Sequence, residues 1–287
     1  VVIIQKGGQL KIYTDHAQAE LSVGHAFLWK LCDCGTHSSA TDREVNFRTA
    51  QLFQLKKKNF RYDIHNFSSI RSKVKGAPIN VDIVEPSHEL TENFKALVAK
   101  TPNLQKIPFN WNILTCQEYE TMIKDKKETK KFDFMHMIQM LYYVTDYSAT
   151  IKFFHSLLRE KGRLLIIHEA AKGGWDTLWK TYKQELCTKS ISDYLSAGDI
   201  KALLDAMGLK YEEHSIPNTL DITKCFTEGD EMGELLLDFM TEQNHFHQSL
   251  NADLRAGILD LLRNKCSTEK DGKILFDCSL TALLVHA

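Results

Sequence analysis

The chain has 287 residues, 43% of them hydrophobic, which is enough to bury the core of one large domain or of a core domain with a small attached lobe. Its 36 lysines and arginines are balanced by 37 acidic residues for a net charge of -1. That balance excludes the broad positive field by which proteins hold nucleic acid or an anionic membrane.

In chain order, residues 1–62 show no clean βαβ pattern. The opening Val1-Val2-Ile3-Ile4 run stops at Lys6, residues 32–49 are polar and aperiodic, and Lys56-Lys57-Lys58 breaks the only nearby apolar run. These residues are set apart as an atypical amino-terminal segment, and the start at valine reads as a truncated or mis-assigned end. The apolar opening is too short for a signal-peptide core, and no later run reaches the roughly 18 apolar residues of a membrane span. A cytoplasmic protein is the expectation.

From Ile79 onward short β-rich runs alternate with segments of helical period, the sign of a parallel sheet covered by helices. The first strand is expected over 79–84, closed by Glu85-Pro86. A helix over 89–100 follows, with Leu90, Phe94, Leu97 and Val98 at helical spacing. A strand near 107–111 and a charged helix over 117–127 come next. Residues 132–138 read as a buried central strand, short and mostly apolar. Ile151, Phe154, Leu157 and Leu158 form one helix face, with Gly162 as its expected left-handed cap. A strand over 163–168 leads to the best-marked helix, 196–207, where Ser196 and Asp199 have capping-box spacing before Gly208. Then come a strand over 209–214, helices near 231–240 and 252–265, and two runs, 273–278 and 280–287, read as strands that close the sheet.

Several residues could carry chemistry. A doubly wound sheet binds nucleotides across the carboxyl ends of its strands, and an acid ending the second strand often accepts the ribose hydroxyls. Glu85 suits that role, or is a solvated acid at a strand end. No G-x-G turn occurs in the chain. Where one belongs, residues 55–62 carry lysines and aromatics whose long side chains would fill the space a cofactor needs. Trp175 and Trp179 sit four apart, on one face of a helix. With Phe239 they could wall a pocket for a protonated amine, each ring adding about 0.5–2 kcal/mol of cation–π attraction, or be core packing. His245 and His247 flank Phe246 without a third metal ligand and read as loop histidines. The lysine run over 124–131 reads as a solvated helix end. Seven cysteines without a C-x-x-C pair suggest a reducing compartment and no metal.

The run Phe132-Asp133-Phe134-Met135-His136-Met137-Ile138-Gln139-Met140-Leu141-Tyr142-Tyr143-Val144, then residues 149–158, resembles the histamine N-methyltransferase family of S-adenosylmethionine-dependent methyltransferases. Further matches are Val84-Glu85-Pro86-Ser87, residues 97–101, Gly174-Trp175-Asp176, Leu178-Trp179-Lys180, residues 208–212, Asp221-Ile222, Cys225-Phe226, Asp238-Phe239 and residues 253–256. The likeness runs from about Asp63 to the end, which marks 63–287 as the methyltransferase domain.

That resemblance implies an α/β fold: a Rossmann-like class I methyltransferase sheet with helices on both faces and a small substrate-binding lobe. It implies S-adenosylmethionine as cofactor, with Glu85 on its ribose, Cys116 beside the adenine and Ile138 at the methionine end. It also implies an amine pocket of Gln139, Tyr142, Tyr143, Trp175, Trp179 and Phe239. Four departures stand out: the family's glycine loop is absent, Leu90 replaces a glutamine, Cys116 a serine, and Cys278 an asparagine that holds substrate. The family's amino-terminal substrate glutamate has no match. The implied reaction is methylation of an imidazole ring nitrogen of histamine, or of a similar small amine, by a monomer. It is driven by positioning and needs no catalytic acid or base. The missing loop leaves open a methyltransferase-like protein that binds amines without turnover. A nicotinamide dehydrogenase would need the same kind of absent glycine turn.

Overall fold

The computed structural model describes residues 2–6, 79–102, 104–127, 129–186 and 194–287. Its main sheet contains β1 (Val2–Lys6), β2 (Ile79–Val84), β3 (Phe109–Asn112), β4 (Phe132–Ile138), β5 (Leu158–Glu169), β6 (Tyr211–Ile216) and β10 (Leu280–His286). Their spatial order is β3-β2-β1-β4-β5-β10-β6. The pairs β2–β3 and β4–β5 are parallel, whereas β1 runs antiparallel to both β2 and β4 and β10 antiparallel to both β5 and β6.

The connecting helices are α1 (His88–Lys100), α2 (Cys116–Asp125), α3 (Tyr147–Ser156), α4 (Gly174–Thr181) and α5 (Ala197–Ala206). Their starts are written into the chain. Ser87 Oγ caps α1 by accepting the Leu90 N–H at 3.2 Å, and Thr115 with Glu118 and Ser196 with Asp199 form capping boxes on α2 and α5. Each such cap satisfies amides that the first helical turn leaves unpaired, and contributes about 1 kcal/mol.

Side-chain alternation along the strands feeds two cores. Met135 and Met137 of β4 point to a cluster with Tyr119, Ile123, Ile151, Phe154, Ile200 and Leu204 from α2, α3 and α5. Phe134 faces the other way, toward Val81, Ile83 and the α1 residues Phe94 and Val98. Helices therefore cover both faces. A third cluster belongs to a lobe made of α6 (Glu231–Thr241), α7 (Ala252–Asn264) and a small sheet of β7 (Thr219–Asp221), β8 (Ser267–Lys270) and β9 (Lys273–Asp277), ordered β7-β9-β8.

The structure departs from the sequence reading in five places. The sheet is mixed rather than parallel, because β1 and β10 are inserted antiparallel. The opening apolar run is a strand, although Ile79 was expected to begin the first one. The run over 273–278 closes no main-sheet edge but sits in the lobe, while β10 fills an interior position rather than an edge. Leu158 begins β5 instead of ending a helix, and the left-handed residue there is Lys161, at φ 68, rather than Gly162. Finally, the lysine run is not wholly solvated. Lys130 Nζ lies 2.5 Å from the buried carboxylate of Asp82, which also accepts from Asn110 Nδ2 at 2.8 Å and Tyr119 Oη at 3.3 Å. A buried charge needs that many partners. The division at residue 62 and the lysine-rich stretch over 55–62 lie outside the described residues, as do Cys32, Cys34 and Cys187.

Candidate functional site

The carboxyl ends of β2, β4 and β5 lie along one edge of the sheet, and the residues singled out from the sequence gather there. Glu85 directly follows β2. Its Oε1 accepts the Ser87 N–H at 2.9 Å, so the carboxylate is held at the strand tip. Burial pushes the Glu85 carboxyl above its ordinary value, against a smaller lowering by the Ser87 hydrogen bond. Cys116 opens α2 just beyond the end of β3. Burial raises its thiol pKa, and the Glu85 carboxylate adds to that rise, which puts the two groups within electrostatic reach of each other.

Ile138 ends β4, and Gln139 follows it in the left-handed region at φ 49. That conformation costs a residue with a Cβ about 1–2 kcal/mol, and such strain concentrates where a side chain must be aimed. Gln139 is held by its own N–H, which donates to Ile167 O at 3.0 Å, and by the Tyr142 hydroxyl, which donates to Gln139 Oε1 at 2.9 Å. The Gln139 side chain is 2% exposed. The turn at 141–143 sets the Tyr142 and Tyr143 rings edge to face at 4.9 Å.

Across the edge, α4 supplies Trp175 and Trp179, both buried. Their four-residue spacing places them on one helix face, but the indoles take different partners. Trp175 meets Phe239 at 5.9 Å and Phe276 at 4.9 Å, both edge to face, and Trp179 stacks on Tyr194 at 6.3 Å. Gly174 makes this close docking possible. A Cβ there would stand 2.6 Å from Asp277 O and 2.7 Å from the Phe276 ring.

Cys278 belongs to the same cluster as Trp175, Trp179 and Phe239, with Ile138 packed against it. Burial pushes the Cys278 thiol up to about 12, so it stays protonated and is no nucleophile. Asn218 Nδ2 donates to its sulfur. Thus Ile138, Trp175, Trp179, Phe239 and Cys278 share one cluster; Gln139, Tyr142 and Tyr143 adjoin it; and Glu85 with Cys116 forms a second group nearer β2 and β3.

Three residues here escaped the sequence reading. His168 and Glu169 end β5, and Tyr194 precedes α5. The Tyr142 and His168 rings meet edge to face at 5.2 Å. Burial first, and then the Glu169 carboxylate, push the hydroxyls of both Tyr142 and Tyr194 well above their ordinary value. The rule that drew attention to Glu85, an acid closing a strand, applies equally to Glu169. By contrast, His247 pairs with Glu234 on the surface of the lobe, and no metal-binding group of three or more donors occurs among the described residues.

Chemically the edge offers a half-buried carboxylate, a neutral amide held by a tyrosine, and a wall of aromatic rings. Such a surface suits a nucleoside sugar beside a small flat base.

A sequence model described as "Methyltransferase domain" matches residues 60–214. Histamine N-methyltransferase A of Xenopus laevis is 46% identical over 226 residues, covering 78% of this chain and 77% of that protein. The histamine N-methyltransferase of Cavia porcellus is 44% identical over 226 residues and that of Mus musculus 42% over 227, each with the same coverage.

Proposed function

The chain belongs to the histamine N-methyltransferase family, and on that premise we propose that it transfers a methyl group from S-adenosylmethionine to an imidazole ring nitrogen of histamine or a similar small amine. The observation that carries this reading is the joint position of Glu85 and the ring-lined group around Gln139 on one strand edge, with Tyr142 donating to Gln139.

The residues fit the nucleoside end of the cofactor. Glu85 is ionisable, partly shielded from water and tethered at one oxygen by Ser87, which leaves acceptor capacity for the two ribose hydroxyls. Cys116 is a small neutral group beside it, suited to an adenine edge, and Ile138 gives an apolar contact for the methionine portion. When bound, S-adenosylmethionine supplies a methyl group activated by its positive sulfur.

The chain's own groups do the rest by positioning. Gln139 is fixed at its backbone and at Oε1, and it orients the imidazole. Tyr142, held protonated by burial, keeps Gln139 in place. Trp175, Trp179, Tyr143 and Phe239 exclude water and favour a cationic tail, and Cys278 borders the pocket as a neutral thiol. A neutral ring nitrogen is already nucleophilic, so correct alignment supplies most of the rate. Residues 63–287 are assigned as the methyltransferase unit, with the lobe carrying Phe239 over the pocket.

We further assign a monomer acting in the cytoplasm on a small molecule. No described helix is long and apolar enough to cross a membrane, and the charge balance offers nothing to a nucleic acid. The test is incubation with S-adenosylmethionine carrying a labelled methyl and a panel of small amines. Label is expected in histamine at a rate well above the other amines, and absence of label in every amine would reject the proposal.

A further inference from the structure

At the carboxyl edge of the sheet the chain leaves β6, passes through Pro217 and Asn218, and enters β7 at Thr219; Cys278 and Ser279 carry it from β9 into β10. These two crossings meet. The Cys278 N–H donates to Asn218 O at 3.0 Å, the Asn218 N–H donates to Ser279 Oγ at 3.2 Å, and Asn218 Nδ2 donates to the Cys278 sulfur. Ser279 is itself fixed, because its N–H donates to Asp277 Oδ1 at 3.0 Å and its carbonyl accepts the Ala170 N–H at 3.0 Å. The backbone and the amide nitrogen of Asn218 are thereby committed. Its amide oxygen, Oδ1, makes no hydrogen bond among the described residues.

This amide stands against the aromatic group. Cys278, which it touches, is 1% exposed and shares its cluster with Trp175, Trp179 and Phe239. Gln139 follows β4, the 278–279 crossing precedes β10, and only β5 lies between those two strands. Neighbouring strands are about 4.8 Å apart, so the two tips are separated by roughly 10 Å. That gap admits one small planar ring with a polar protein group on either side.

The proposed reaction calls for an acceptor on such a ring. A neutral imidazole carries one N–H and one bare nitrogen, and only the bare nitrogen has a lone pair free to take a methyl group. The proton must then sit on the other nitrogen, which donates and needs an acceptor once it is buried. The neighbours of Asn218 are poorer choices: a thiol is a weak acceptor, an indole N–H only donates, and Gln139 Oε1 already accepts the Tyr142 hydroxyl at 2.9 Å. Asn218 Oδ1 belongs to an amide already held by its other contacts, so little freedom is lost when it accepts.

We propose that Asn218 is a substrate-binding residue whose Oδ1 accepts the N–H of the substrate imidazole, fixing the tautomer that leaves the other ring nitrogen bare for methylation. Cys278 sets the angle of the amide through its sulfur. This inference rests on the amine-pocket reading above and adds to it the group that reads the ring N–H.

Calorimetric titration of the full chain with histamine and its two thiazole counterparts, 2-(thiazol-4-yl)ethylamine and 2-(thiazol-5-yl)ethylamine, tests it. Both thiazoles keep the amine tail and lack a ring N–H. Wild type is expected to bind histamine roughly five- to tenfold more tightly than either. Asn218→Leu should erase that preference by weakening histamine alone, and Asn218→Asp, which keeps an acceptor and loses the donor to Cys278, should retain it. A preference that survives Asn218→Leu, a wild type without preference, an aspartate variant that loses it, or a leucine variant weakened equally toward all three ligands would overturn the assignment. Should Asn218→Leu not fold, nitrogen-15 nuclear magnetic resonance of ring-labelled histamine bound to wild type decides. Two well-separated ring resonances, one protonated and one bare, are expected, and resonances averaged between the two tautomers are the contrary result. A wild type that binds none of the three ligands fails the amine-pocket reading itself, and the proposal falls with it.

Discussion

Replacing Glu85 by glutamine isolates the grip on the cofactor sugar. The amide keeps nearly the same shape and can still accept the Ser87 N–H now held at 2.9 Å, but it turns one acceptor oxygen into a donor and removes the charge. A hydrogen bond to a charged group contributes about 1.5–3 kcal/mol, so affinity for S-adenosylhomocysteine should fall roughly ten- to a hundredfold. The pH dependence has a definite sign. Burial holds the Glu85 carboxyl above 4.5 in the folded chain, and only its ionised form accepts two hydroxyls. Affinity should therefore weaken as pH falls through a value higher than that of an ordinary glutamate, and the glutamine variant should lose this dependence. Stability moves the other way. A carboxyl with a raised folded pKa favours folding below its unfolded pKa, and that contribution disappears as pH rises through the folded pKa. Without ligand at neutral pH, Glu85→Gln should thus be no less stable than wild type. Isothermal titration across pH 5–8, paired with thermal unfolding, reads both effects. An affinity unchanged by the substitution, or equally pH-dependent in both proteins, would refute the assignment of Glu85 to the sugar.

Other expectations follow from the same geometry. Gln139→Ala should slow methyl transfer about a hundredfold by freeing the imidazole to misalign while thermal unfolding stays close to wild type; unchanged turnover removes Gln139 from the site. Gly174→Ala places a Cβ against the Asp277 carbonyl and the Phe276 ring. It should cost about 1–3 kcal/mol in urea unfolding and weaken amine binding by shifting Trp175 and Trp179, and a neutral effect would contradict the described docking of α4. Lys130→Met strips the buried Asp82 of its cation. Because Lys130 is partly exposed, a loss of about 2 kcal/mol is expected, below the roughly 3–5 kcal/mol of a fully buried pair. Equal stability would show that Asn110 and Tyr119 suffice for Asp82.

Much of the fold was legible because local signals and tertiary structure agree. β4 coincides with the apolar run over 132–138, and the capping boxes at Thr115 and Ser196 start helices α2 and α5. What periodicity cannot carry is partnership. The runs that became β9 and β10 look alike as β-type segments, yet one pairs in the lobe and the other between β5 and β6, a choice made by long-range packing. Likewise nothing local to Lys130 announces Asp82, 48 residues away in sequence.

The site divides in the same way. Glu85 could be singled out as an acid at a strand end, and the aromatic group by its spacing and its resemblance to the family. Glu169 closes a strand as Glu85 does and was open to the same rule, but its nearness to Tyr142 and Tyr194 comes from segments distant in sequence that meet only in the fold. The strained Gln139 backbone is equally invisible in sequence, since left-handed geometry at a residue other than glycine is imposed from outside.

The central claim is chemical: this chain aligns an imidazole ring nitrogen with the methyl group of S-adenosylmethionine. Carbon-13 nuclear magnetic resonance of histamine after incubation with the enzyme and methyl-labelled cofactor measures the outcome directly. A single new methyl resonance on the imidazole ring is predicted. Label on the side-chain amine, or histamine recovered unlabelled from cofactor-saturated enzyme, would contradict the account.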